Sequence, residues 1–113
     1  MKNHTRQDSK KRYMRLVATL IKNPDVMMPV GKKGFGSSGL YVKGKLFTFL
    51  SRKNQLIVKL SKKRVDDLVA CGVGMHWDPR HDGRVFREWV VLEPSSRTWI
   101  PLAKEAMRFV SNF

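Results

Sequence analysis

Three stretches of this chain carry residue types that could do chemistry. The first is Gly34-Phe35-Gly36-Ser37-Ser38-Gly39, which has the G-x-G-x-x-G spacing of a dinucleotide-binding loop. Such a loop follows a strand and opens a helix, so that backbone N–H groups meet a pyrophosphate. Here the strand-like run Leu40-Tyr41-Val42 comes after it, and Ser37 stands where a P-loop requires lysine. A kinase-type glycine loop is excluded because 113 residues cannot hold the remaining machinery. The glycines read instead as a tight entry with backbone close to its neighbours. The second stretch holds His76, Asp78, His81 and Asp82. It lacks a cysteine pair or the helical His-Glu-x-x-His spacing, so no metal is expected there. Asp78-Pro79 and Asp82-Gly83 are ordinary turn dipeptides. The third is Lys62-Lys63-Arg64, directly after Ser61. Ser61 reads as a helix N-cap, with Leu60 and Val65 as a hydrophobic staple around it. Three cations then fill the first turn, where each opposes the macrodipole by roughly a few tenths of a kcal/mol. A cationic first turn with free backbone N–H groups suits an anion. No paired acid and base, activated nucleophile or cofactor motif is present, so neither catalysis nor a cofactor is expected.

The elements that position these residues follow from periodicity. From Ser9, Tyr13, Leu16, Val17, Leu20 and Ile21 recur on one face of a helix, which Asn23-Pro24 ends. Its outer face carries Lys10, Lys11, Arg12, Arg15 and Lys22. Val26-Met27-Met28-Pro29-Val30 is a short apolar link that could serve as an edge strand. Runs at 40–42, 46–50 and 55–60 are rich in β-branched and aromatic residues and separated by Lys43-Gly44-Lys45 and Ser51-Arg52-Lys53-Asn54. Connections this short exclude a parallel crossover, so the three runs form an antiparallel meander. A helix follows from Ser61, with Val65, Leu68 and Val69 buried and Gly72 as its stop. Residues 73–87 read as a loop, Glu88–Leu92 as a later strand, and a last helix starts near Thr98. Trp99, Leu102, Ala103, Ala106, Met107 and Val110 lie on its inner face, and Pro101 is admissible only in its first turn.

The expected fold is therefore α+β, an antiparallel sheet of a three-stranded meander plus a later strand, packed by about three helices. Residues 1–8 read as a mobile basic tail and 9–113 as one domain. At this length roughly two-thirds of the chain's surface can be buried without disulfides. The single cysteine, Cys71, fits a reducing cytoplasm. No apolar run approaches a membrane span, and the N-terminus lacks the apolar segment of a secretory signal.

Charge is distributed unevenly. Residues 1–64 hold 17 Lys and Arg against 2 acids, whereas residues 65–113 hold 6 against 7. Such polarisation points to a polyanion: nucleic acid first, an anionic membrane surface second. Antiparallel order puts Lys43, Lys45, Lys62, Lys63 and Arg64 at one end of the sheet. It groups Lys32 and Lys33 with Arg52 and Lys53 at the other. The first cluster is the favoured site because it alone adds a helix N-terminus to the side-chain cations.

Phe35-Gly36-x-x-Gly39-Leu40-Tyr41-Val42-x-Gly44-Lys45-x-Phe47, followed by Leu56-x-Val58-Lys59, resembles the amino-terminal domain of the TfoX/Sxy competence regulators. Glu88-Trp89-Val90-Val91-Leu92 with a Trp-bearing last helix is similar to the related MmcQ/YjbR group. The resemblance spans roughly residues 10–112 and implies a YjbR-like α+β domain, compared in that group with double-wing DNA-binding domains, and a part in transcriptional control. The chain leaves no room for the carboxy-terminal domain of full-length TfoX proteins, so a competence role is not implied. The expected function is binding of nucleic acid, duplex DNA first, through phosphate contacts. The alternative is a protein-interaction domain whose basic face docks on an acidic partner without catalysis.

Overall fold

The short runs after Gly39 pair as a meander. The computed structural model describes residues 6–28 and 39–113, with side chains from Asp8 onward. The loop Gly34–Ser38, with Lys32 and Lys33, lies outside the described residues. The elements are α1 (Arg6–Leu20), β1 (Val26–Met27), β2 (Leu40–Val42), β3 (Lys45–Leu50), β4 (Leu56–Lys59), α2 (Lys62–Ala70), β5 (Met75–Trp77), β6 (Phe86–Leu92) and α3 (Trp99–Ser111). The strands form one antiparallel sheet in the order β1-β2-β3-β4-β6-β5. The fold is α+β with three helices, as expected, and the sheet has two strands more than the meander and the later strand.

One extra strand is β1, the apolar link, which pairs Val26 with Val42. The other is β5, inside the stretch read as a loop. Three residues are too few to show periodicity, and β5 is held by contact with β6. Gly74 permits that contact: a Cβ there would stand 2.5 Å from Val90 Cγ2 and 2.9 Å from the Val91 carbonyl. β6 also starts earlier than expected, at Phe86.

β2 and β3 are joined by the two residues Lys43 and Gly44, both at positive φ (51° and 83°). That is the type I′ geometry whose twist matches flanking strands. β3 carries a bulge. Leu40 pairs with Thr48 but Tyr41 pairs with Leu46, leaving Phe47 as one extra residue. The bulge resets alternation, so Phe47 joins the core under the helices while Leu46 and Phe49 share the opposite face.

The main core combines all three helices with one face of the sheet: Tyr13, Leu16 and Leu20 from α1, Val65 and Leu68 from α2, Trp99, Ala103 and Val110 from α3, against Leu56, Val58, Val90 and Leu92. α1 begins at Arg6, ahead of the expected start, and ends at Leu20, so Ile21 leaves the helix and is exposed rather than buried. α2 starts and stops as its sequence requires. The Ser61 hydroxyl accepts the Arg64 N–H at 3.2 Å. The N–H groups of Gly72 and Val73 close on the carbonyls of Val69 and Leu68, a Schellman motif. The opposite face of the sheet carries a second cluster, Phe49, Ile57 and Val91 with Leu46, Trp77 and Trp89.

Candidate nucleic-acid interface

Register fixes which loops share an end of the sheet. Thr48 pairs with Val58, so the start of β3 lies beside the end of β4, and Lys45 and Lys62 stand at the same end. The β2–β3 turn, the segment after α1 and the last turn of α3 come to that end too. The Lys43 N–H donates to the Asp25 carbonyl at 3.1 Å, and its Nζ donates to the Ser111 carbonyl at 3.3 Å. Arg52 and Lys53 sit in the β3–β4 turn at the opposite end. The first expected grouping holds at the level of the backbone, whereas the grouping of Lys32 and Lys33 with Arg52 and Lys53 falls on residues outside those described.

The side chains divide the first group. Lys43 and Lys45 turn to the C-terminal end of α3. Lys43 caps Ser111, and Lys45 Nζ lies 5.4 Å from the Phe113 ring centre. Cations there complement the negative end of the α3 macrodipole. Arg64 grips Glu105 of α3 with two bonds, Nε–Oε2 at 2.7 Å and Nη2–Oε1 at 3.1 Å. The hydrogen bond to Glu105 is the largest influence on the Arg64 pKa, raising it above the ordinary arginine value despite some opposing desolvation. Lys63 reaches Asp67 one turn on, at 3.4 Å, but its side chain stays 88% exposed. Lys62 is exposed, and no ion pair among the described residues holds it. Of the favoured cluster, Lys62 and Lys63 thus remain open to an external anion, while Arg64 ties α2 to α3.

The titratable residues around β5 are drawn apart. His76 Nε2 lies 3.1 Å from Asp66 Oδ1 of α2, whereas His81 Nε2 lies 3.2 Å from Lys53 Nζ. The Asp78 carboxylate accepts the N–H groups of Asp82 and Gly83 and so closes the turn. Among the described residues no three His, Cys, Asp or Glu gather where a metal ion could bind.

Two features escaped the sequence. One is Arg12, placed on the outer face of α1, whose guanidinium donates to the carbonyls of Pro94 and Ser96 and lies over Trp99. Its burial lowers its pKa. The other is the aromatic group on the second sheet face, where Trp77 meets Phe49, Phe86 and Trp89 edge-on. Alternation of Trp89 and Val91 against Val90 and Leu92 was the available signal. No protein-family model, curated protein or solved structure matches the chain. No helix among the described residues is long and apolar enough to cross a membrane.

Proposed function

We propose that this chain is a nucleic-acid-binding domain that holds duplex DNA by its phosphates. The observation that carries the reading is the order of the strands. β1 to β4 lie side by side and β6 and β5 follow. The strands of the strongly basic residues 1–64 are therefore gathered on one flank instead of being interleaved with those of the neutral half. Where β4 ends, at the border of that flank, Lys62 stands exposed on the capped N-terminus of α2, and Lys63 beside it stays largely exposed while pairing with Asp67. Backbone N–H groups at such a terminus add to the attraction for a phosphate. Transcriptional regulation is the setting that the resemblance to TfoX proteins suggests.

Duplex titration over a range of salt tests the reading. If about four to six phosphates are neutralised, log K falls against log salt with a slope of roughly −4 to −5. No binding at low salt, or binding indifferent to salt, defeats it. Displacement of the duplex by an acidic polypeptide at far lower charge concentration than by other DNA would favour docking on an acidic protein instead.

A further inference from the structure

The second face of the sheet is unused by the charge-based reading. All three helices pack on the first face, and among the described residues no helical side chain enters the cluster on the other. Trp77 lies among three rings there, with centroids 5.5 Å from Phe49, 4.9 Å from Phe86 and 5.8 Å from Trp89. Beside them Phe86 is 42% exposed and Met75 45% exposed. Cations border this apolar surface. Lys59 Nζ lies 5.3 Å from the Trp89 ring, and Lys53 reaches His81 in the hairpin between β5 and β6. Arg80 and Arg84 of the same hairpin and Arg87 at the start of β6 are exposed. The local acids are partly engaged: Glu88 pairs with Lys59, and Asp78 and Asp82 accept backbone N–H groups of their own turn.

An occupant of such a surface needs a flat apolar side and an anionic side. Duplex DNA presents its phosphates but keeps its bases stacked on one another. Unpaired nucleotides offer both, a π face for an aromatic ring and a phosphate for a neighbouring cation. A second copy of the chain would set a net charge of +14 against itself. We infer that the open sheet face binds single-stranded nucleic acid, stacking unpaired bases on Phe86 and Trp89 while Lys59 and the hairpin arginines meet the phosphates. The inference rests on the nucleic-acid reading above, but it uses different residues from the duplex surface.

The experiment follows tryptophan fluorescence of the full chain while a short oligothymidylate, the matching oligouridylate and a duplex are added in turn. Trp99 is buried under the helices, so a response reports Trp77 and Trp89. Both single strands should quench the emission. Phe86→Ala, an exposed change checked for folding by circular dichroism, should weaken single-strand binding about tenfold, within the range of losing one stacked base. It should leave duplex affinity unchanged, and Lys62→Glu should do the reverse. Duplex binding with no single-strand quenching overturns this inference and leaves the duplex reading standing. Failure of every nucleic acid at low salt removes both. Equal loss of duplex and single strand in Phe86→Ala, or a dimer that Phe86→Ala dissolves, also overturns it.

Discussion

The Arg12 guanidinium carbon stands 4.0 Å from the centre of the Trp99 ring. The same group donates to the carbonyls of Pro94 and Ser96, while Trp99 Nε1 donates to the Glu93 carbonyl at 3.0 Å. One α1 side chain thus orders the segment that leads from β6 into α3. Arg12→Ala should cost about 2 kcal/mol, from charged hydrogen bonds and a half-buried cation–π contact. Arg12→Lys should recover little, because an ammonium cannot span two carbonyls and stack on a ring together. Urea denaturation of the three proteins measures this, and a lysine variant as stable as the parent would disprove the two-carbonyl clamp.

Lys62→Glu/Lys63→Glu should change stability by less than about 0.5 kcal/mol. The gain from acids in the first turn is offset by loss of the exposed Lys63–Asp67 pair. The same pair of changes should weaken duplex binding and flatten its salt slope. Arg64→Ala should behave in the opposite sense, losing about 1 kcal/mol with its Glu105 pair, discounted for partial exposure, while the salt slope holds. If Arg52→Glu/Lys53→Glu abolished binding instead, the site would belong to the opposite end of the sheet. Equal losses everywhere would indicate a diffuse field.

Tyr13 is buried, and desolvation raises the pKa of its phenol well above the ordinary value near 10. Its raised folded-state value means that the unfolded chain releases this proton first. Stability is therefore fully present below about pH 10 and falls as pH rises beyond it, by up to ~1.4 kcal/mol per pH unit. Alkaline unfolding curves should show this slope, and Tyr13→Phe should flatten it.

Ser9 is buried, and its hydroxyl has no hydrogen-bond partner among the described residues. Ser9→Ala removes that orphan and raises helix propensity, so the variant should gain about 0.5–1 kcal/mol. A loss of stability in thermal melts would show that the hydroxyl is satisfied after all.

The legible parts of this fold were those that local chemistry decides. Ser61, Gly72 and the Leu60–Val65 staple mark α2 by sequence spacing alone, and the short turn at Lys43-Gly44 forces β2 and β3 together. The bulge at Phe47 and strand β5 depend on neighbours across the sheet, which no local pattern encodes. The candidate site divides the same way. Antiparallel order was enough to put Lys45 and Lys62 at one end. The ends of the side chains were not legible, because Lys43 meets Ser111 and Arg64 meets Glu105 across long stretches of chain.

The strand order has an electrical consequence. Within the sheet the two halves of the chain meet along one ladder, β4 with β6, where Lys59 pairs with Glu88. The flank built from β1 to β4 carries the strands of the charged half, and the β5 edge belongs to the neutral half. At that seam Glu88 neutralises Lys59 beside the Trp89 ring, so replacing Glu88 would leave an unpaired ammonium next to the aromatic group.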